Sequence, residues 1–239
     1  MKDRLNIPVG ISDFKKIREN GYYYVDKSGL LKELLKRESA EVTLITRPRR
    51  FGKTMGMSML AHFLDIRFDN KKLFDGLEIA KDETLCNAWM NQCPVVFLTL
   101  KDIDGLTFED AYERLAVQIS NLYKEHAYLL ENEKMDLDDR QLFKDLKSGN
   151  SGKIQVGQSL YTLIRLMRDY YGKQVILLLD EYDVPMAKAS SNGYYEQMLD
   201  IMKEIMSTAL KDNAALQFAV ITGCLKIAKE SIFTGTNNF

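Results

Sequence analysis

The chain has 239 residues and a formal net charge of −1, with 46% hydrophobic and 28% charged residues, a composition typical of a globular protein with a sizeable core. The near-neutral charge excludes a global attraction to nucleic acid or to an anionic membrane. No apolar run approaches the roughly 18 residues of a membrane span, and no signal peptide opens the chain, so we expect a cytoplasmic protein without membrane contact. The three cysteines form no C-x-x-C pair, which argues against a disulfide framework and against a zinc site.

The N-terminal segment, residues 1–40, contains two predicted helices. Ser12 is a predicted cap for the first, DFKKIREN, and Ser28 for the second, GLLKELLKRE, with a short extended segment, YYYV, between them. Packing of this segment against the sheet is the preferred interpretation. The alternative is an apolar or aromatic wall for a nucleotide base, for which the candidates are Ile7, Ile11 and Tyr24.

A strand, a turn-forming loop and a helix follow in that order within EVTLITRPRRFGKTMGMSML, residues 41–60. This order is typical of a phosphate-binding P-loop, the Walker A motif, because backbone N–H groups at a helix N-terminus converge on an anion. Gly52 lets the backbone approach the phosphates, Lys53 can reach the β- and γ-phosphates, and the Thr54 hydroxyl can join a Mg²⁺ shell. The candidate nucleotide-binding residues are Arg49, Arg50, Phe51, Gly52, Lys53, Thr54 and Met55.

The loop departs from the pattern G-x-x-x-x-G-K-[ST] at its first position. Arg47 stands where the opening glycine belongs, and Pro48 follows, which predicts a stiffer loop that is richer in positive charge. Arg49 and Arg50 are interpreted either as phosphate contacts or as solvated arginines on a turn. A chance Gly-Lys-Thr sequence is the alternative for the loop itself.

A second buried strand is predicted in PVVFLTL, after a helix at residues 83–91. Residues 101–173 are interpreted as a helical elaboration, with helices at 108–130 and 137–146 and a further one that ends at Gly172. SGNSGK, within this region, is interpreted as a turn, because no strand enters it and Ile154 stands where a Ser or Thr would bind a metal.

A hydrophobic strand followed by two acidic residues, VILLLDE, resembles a Walker B motif. The strand would deliver Asp180 to the carboxyl edge of the sheet, where the P-loop also lies, so Asp180 is the candidate Mg²⁺ ligand. Glu181 is the candidate general base that polarises the attacking water. Asp183 is interpreted as a helix cap.

A fourth strand is predicted in QFAVIT, and Thr222 at its end is a candidate sensor 1 residue that reads the γ-phosphate or orients the water. The alternative for Thr222 is a structural threonine at a strand end. Lys226 and Lys229 could reach phosphate, although surface lysines are the preferred interpretation.

Four stretches together resemble the AAA-ATPase-like family of uncharacterised bacterial proteins, within the additional-strand branch of P-loop ATPases. These are VGISDFKKIRENGYYYVDKS, RPRRFGKT, VILLLDEYD and ITGCLKIAKESIFTGTNNF. The resemblance implies ATP binding at Gly52, Lys53 and Thr54, with Asp180 and Glu181 in the Walker B roles. In that family the arginine-rich loop without its first glycine is normal.

The resemblance also implies an α/β, three-layer P-loop NTPase fold, with a mostly parallel sheet of order 5-1-4-3-2 and helices on both faces. We count four of the five strands, so the P-loop strand is expected at the sheet edge. Members usually continue into a further strand and often into a restriction-endonuclease-like domain. We therefore interpret residues 1–239 as a single AAA-like domain, a truncated product or domain piece that lacks the fifth strand, the helical lid and the C-terminal domain.

The function expected from these motifs is Mg²⁺-dependent ATP binding and ATP hydrolysis, with water held by Glu181. Charge would be offset by Lys53, by Mg²⁺ and by one arginine, either Arg49, Arg50 or an arginine of a partner protein. The alternative is a non-hydrolysing scaffold or regulatory module that binds nucleotide and serves an appended nuclease-like domain. A protein partner or self-association is compatible with both. Nucleic acid is expected only through the appended domain.

Overall fold

The computed structural model describes residues 6–36 and 41–224. Within these ranges, four parallel strands form one sheet with the order β1-β4-β3-β2. The strands are β1 (Val42–Thr46), β2 (Val95–Thr99), β3 (Val175–Asp180) and β4 (Leu216–Gly223). The predicted α/β fold and its 1-4-3-2 order are confirmed, with the P-loop strand at the edge.

The helices of the described residues lie between and beside these strands. In chain order they are α1 (Phe14–Glu19), α2 (Gly29–Leu35), α3 (Lys53–Leu64), α4 (Glu83–Trp89), α5 (Phe108–Glu125), α6 (Leu137–Ser148), α7 (Lys153–Gly157), α8 (Ser159–Tyr171), α9 (Val184–Asn192) and α10 (Tyr195–Leu210). Short 3₁₀ helices stand at Lys71–Phe74, Ile79–Lys81 and Ala127–Glu131. None of the helices described is both long enough and apolar enough to span a membrane.

Strand β3 lies at the centre of the molecule and is buried along its whole length. Because successive side chains of a strand point to opposite faces, Leu177 and Leu179 join one hydrophobic core, while Ile176 and Leu178 join another. The first core is built with α5 to α10, and the second with α1 to α4. The sheet therefore has helices on both faces, which gives the predicted three layers.

The two N-terminal helices begin differently from the prediction. Asp13, rather than Ser12, caps α1, because its carboxylate accepts a hydrogen bond from the Lys16 N–H at 3.0 Å. Ser28 stands at the start of α2, but its buried hydroxyl accepts a hydrogen bond from Ile79 N at 3.0 Å instead of capping the helix. The sequence YYYV between the helices forms no strand.

Two helix ends also differ from the prediction. Helix α5 ends at Glu125 instead of running to residue 130, because the chain tightens into the 3₁₀ helix Ala127–Glu131. Helix α4 ends at Trp89, before the predicted residue 91. Helix α8 ends before Gly172 as predicted, and the φ of this glycine is +63°.

The register of β1 leaves one of its edges open. Ala219 N donates to Glu41 O at 2.8 Å, and Arg47 N donates to Gly223 O at 3.2 Å. Because backbone groups alternate in direction along a strand, the odd-numbered residues of β1 face β4. The N–H and C=O groups of Leu44 and Thr46 therefore face away, and none of the described residues hydrogen-bonds to them.

Candidate functional site

The loop after β1 begins as a continuation of the strand. The Arg47 N–H pairs with β4, and the φ of Arg47 is not positive. The missing first glycine is thereby explained, because an extended residue needs no glycine here. Left-handed backbone comes later in the loop, at Arg50 with φ 68° and at Gly52 with φ 78°. Such residues turn successive N–H groups toward a common concavity, which favours an anion.

Lys53, the first residue of α3, reaches back across the loop. Its Nζ donates to the carbonyl oxygens of Arg47 and Pro48, at 2.8 and 3.0 Å. It also contacts Cys224 Sγ at 3.2 Å, just beyond β4. Thr54 follows in the first turn of α3 and is half-buried. The loop, the start of α3 and the end of β4 thus meet around one ammonium group.

Asp180 ends β3 at the same edge of the sheet. It is fully buried, and its Oδ1 accepts a hydrogen bond from the hydroxyl of Thr222 on the neighbouring strand β4. Its Oδ2 is also buried, but it has no hydrogen-bond partner among the described residues. A buried carboxylate oxygen without a donor is costly, so this atom fits a site that is completed by a cation.

Glu181 turns out of the strand in left-handed geometry, with φ 58°. Burial raises the pKa of its carboxyl group, and the negative charges of Asp180 and Asp183 raise it further. Positive charge on Lys53 and Arg49 opposes this rise in pKa. The carboxyl group therefore lies within electrostatic reach of both the P-loop and the Walker B aspartate.

Asp183 stands at the start of α9, but its carboxylate makes no capping hydrogen bond. Instead, Asp183 Oδ2 accepts from Cys224 N at 3.0 Å, which ties α9 to the end of β4. The approach is close: a Cβ on Gly223 would lie 2.5 Å from Tyr182 and 2.6 Å from Asp183 Oδ1. Only glycine fits there, so Gly223 is required for the packing of the strand ends.

A cavity of about 590 Å³ lies beside the loop, between β1, α3 and the N-terminal segment. Lys53, Gly52 and Thr222 line its polar end. Tyr24 also lines it and packs edge to face with Phe14, with ring centroids 5.5 Å apart. Tyr24 can thus pack against the N-terminal helix and also contact a ligand in the cavity. Ile7 is exposed and Ile11 is half-buried, and neither lines the cavity.

The structure brings most of the predicted site residues to one region. Residues 49–52 lie in the loop, residues 53–55 in the first turn of α3, and Asp180, Glu181 and Thr222 at the ends of β3 and β4. The cavity is lined by Arg50, Phe51, Gly52, Lys53, Met55 and Thr222 of this set. Lys226 and Lys229 lie outside the described residues. Lys27 and Cys224 also adjoin the loop or the lysine that follows it, and neither was predicted, because their proximity depends on tertiary folding.

The residues present fit a Mg²⁺ ion that is shared with phosphate oxygens. Thr54 and Asp180 offer hard oxygen ligands, which Mg²⁺ prefers. In the part of the chain that the structure describes, no group of three or more His, Cys, Asp or Glu residues could hold a metal. Mg²⁺ is commonly held by one or two protein oxygens, waters and substrate phosphates, so a larger protein cage is not required.

Comparison with known proteins identifies a relative and a family. The chain is 29% identical over 237 residues to a protein of Azotobacter chroococcum mcd 1, named only as an uncharacterized protein in the vnfD 5′ region. The match covers 98% of this chain and 40% of that relative, so the chain spans less than half of the relative's length. No solved structure matches the chain significantly.

The model of one family matches the chain over residues 8–233, a range that includes the P-loop, Asp180, Glu181 and Thr222. The description of that family is predicted AAA-ATPase. The chain belongs to the AAA-ATPase-like family.

Proposed function

We propose that this domain binds ATP with Mg²⁺ and hydrolyses it. One observation carries the proposal: the buried, unpartnered Oδ2 of Asp180 and the ammonium group of Lys53 belong to neighbouring segments at one sheet edge. A polyphosphate with its cation fits both groups, because the phosphates can replace the present acceptors of Lys53 while the cation meets the carboxylate oxygen that has no partner among the described residues.

Several residues of the loop and of α3 are proposed to bind the phosphates. Left-handed Gly52 lets the loop backbone approach the phosphates closely. Lys53 exchanges the carbonyl oxygens of Arg47 and Pro48 for phosphate oxygens, which are better partners because they carry charge. Arg49 and Arg50 are exposed on the loop and add positive charge. The candidate contacts also include Phe51 and Met55.

Thr54 and Asp180 are the residues proposed to hold Mg²⁺. The ion, when bound, neutralises charge on the β- and γ-phosphates. Thr222 donates to Asp180 Oδ1, so it orients the carboxylate and leaves Oδ2 for the metal. Thr222 is also proposed to read the γ-phosphate.

Glu181 is proposed to accept a proton from the attacking water. Its raised pKa makes the carboxylate a stronger base than that of an ordinary glutamate. Lys53, and Arg49 or Arg50, would stabilise charge on the transferred phosphoryl group. Without Glu181 the phosphates and the metal still have their ligands. A change at this residue should therefore affect hydrolysis and leave ATP binding intact.

Calorimetric titration of the chain with ATP and Mg²⁺ tests binding. We expect Lys53→Ala to lose measurable binding, because the cation at the loop is gone, and Lys144→Ala, an exposed lysine on α6, to bind like the wild type. Equal affinity of the wild type and Lys53→Ala, or no binding by either, would refute the proposal.

Phosphate release in single-turnover assays tests hydrolysis. Glu181→Gln should bind ATP as the wild type does while its phosphate release falls by at least about 100-fold, the usual contribution of a general base. If the wild type and Glu181→Gln bind ATP equally and neither releases phosphate, the domain is a nucleotide-binding scaffold.

A further inference from the structure

The segment at residues 23–27 runs along the P-loop and is held there from both sides. Tyr24 Oη contacts Met59 Sδ of α3 at 3.3 Å. Asp26 accepts from Ser28 N at 2.8 Å and from Glu78 N at 2.7 Å, so its carboxylate joins the segment to the chain before the Ile79–Lys81 helix. The backbone on either side of residue 27 is therefore anchored.

Lys27 extends from this anchored segment to the loop. A Cβ built on Gly52 would lie 3.6 Å from Lys27 Nζ, so the ammonium group stands directly beside the loop glycine. Lys27 also lines the same cavity as Lys53. Its ammonium group makes no hydrogen bond or ion pair with any residue in the described ranges.

Positive charge predominates in the cavity that Lys27 lines. Arg47, Arg50 and Lys53 line it as well, against the single carboxylate of Glu33, and none of these three cations forms an ion pair with a carboxylate of the described chain. Like charges that are gathered at one place repel each other, and an anion bound among them removes the repulsion. The arrangement is thus more favourable with a polyanion bound than without one.

We infer that Lys27 is a second phosphate-binding cation of this site, delivered by the N-terminal segment to the polyphosphate that Lys53 binds. The inference rests on the proposed function. It assigns the N-terminal segment to the ligand site itself, in addition to its packing against α3. The segment carries Lys27 on anchored backbone, so less conformational entropy is lost on binding than for a lysine on a free tail.

The test compares the affinities of Lys27 variants for ATP with Mg²⁺ and for inorganic tripolyphosphate, measured by calorimetry. Loss of one charge-assisted contact predicts affinity that is lower by about tenfold or more for both ligands in Lys27→Ala. Lys27→Arg should recover most of it. Lys16→Ala, an exposed lysine in the same N-terminal segment, is the matched control and should bind like the wild type.

The outcomes separate the two proposals. Wild-type affinity in Lys27→Ala beside lost binding in Lys53→Ala overturns the inference and leaves the proposed function intact. Weaker ATP binding with unchanged tripolyphosphate binding also overturns it, because the lysine would then act on the nucleoside. No ATP binding by the wild type overturns both. Lys27 is exposed, so unfolding curves should show that Lys27→Ala is folded.

Discussion

Glu181 combines two unfavourable features at the residue scale. Its backbone is left-handed, with φ 58°, and its carboxyl group is half-buried near two other acids, which raises its pKa. Non-glycine residues in this conformation cost energy because Cβ crowds the carbonyl oxygen. Strain of this kind is expected where a site holds a reactive group in place.

We predict that Glu181→Gly is more stable than Glu181→Gln by about 1 kcal/mol, because both remove the charge and only glycine relieves the backbone. Urea unfolding of the two variants measures the difference. Phosphate release should be lost in both. A glycine variant that is less stable than the glutamine variant would show that contacts of the side chain outweigh the strain.

His126, at the end of α5, predicts a pH dependence of stability. It is 1% exposed, and its Nδ1 lies 2.9 Å from Leu122 O, in place to donate in the neutral form. Burial, helped by the positive charge of Arg67, lowers its pKa to about 4. A lowered histidine pKa contributes stability that is complete above the unfolded pKa, roughly 6.5, and is lost as the pH falls toward 4.

The free energy of unfolding of the wild type, relative to that of His126→Gln, should therefore fall by about 2 kcal/mol between pH 7 and pH 5. Urea unfolding at several pH values measures this. The glutamine variant should show a shallower dependence, since glutamine keeps a donor but does not titrate. Parallel curves for the two proteins would rule out His126 as the source.

At the scale of elements, the open edge of β1 is the main feature. The backbone N–H and C=O groups of Thr43 and Ile45 face β4, because these groups alternate in direction along a strand. Those of Leu44 and Thr46 face the cavity and form no hydrogen bond with the described residues. Such an edge can pair with another strand.

Amide hydrogen exchange, followed by NMR, should distinguish the two sides of β1. We predict faster exchange for the amides of Leu44 and Thr46 than for those of Thr43 and Ile45, because only the latter pair donates to β4. Equal protection of all four amides in this chain would contradict the prediction and would mean that a further segment covers the edge.

At the scale of the whole molecule, the two cores meet at the sheet, and the site lies along its edge. The loop, β3, β4 and the N-terminal segment belong to different parts of the chain, so a ligand that bridges them should stabilise the whole fold. A ligand that binds only the native state adds about 2.7 kcal/mol when its concentration is 100 times Kd.

Mg·ATP at that excess should raise the free energy of unfolding of the wild type by about this amount and leave that of Lys53→Ala unchanged.

ATP should raise the free energy of unfolding of Asp180→Asn equally with and without Mg²⁺, because the carboxylate that would bind the metal is gone. Thermal or urea unfolding measures all three. Stabilisation of Lys53→Ala equal to that of the wild type would show that ATP binds somewhere other than the P-loop.

Much of the fold was predictable from local patterns. Apolar runs of strand length such as VILLL were predicted as buried strands, and the family resemblance implied the parallel order 1-4-3-2. Helix ends were less predictable, because individual hydrogen bonds decide them: Asp13 rather than Ser12 caps α1, and Ser28 accepts from the distant Ile79 instead of capping its own helix. The roles predicted for the site residues await the experiments above.

The sequence by itself determined the four strands, the placement of Lys53 at the start of a helix and that of Asp180 at a strand end, because these depend on periodicity and short motifs, and the family resemblance implied the fold class. Tertiary structure decided that Arg47 extends β1, that Thr222 donates to Asp180 and that Asp183 binds Cys224 N. It also placed the side chain of Lys27 beside Gly52, which lies 25 positions further along the chain. Such contacts join residues far apart in sequence, and only the packing of the layers brings them together.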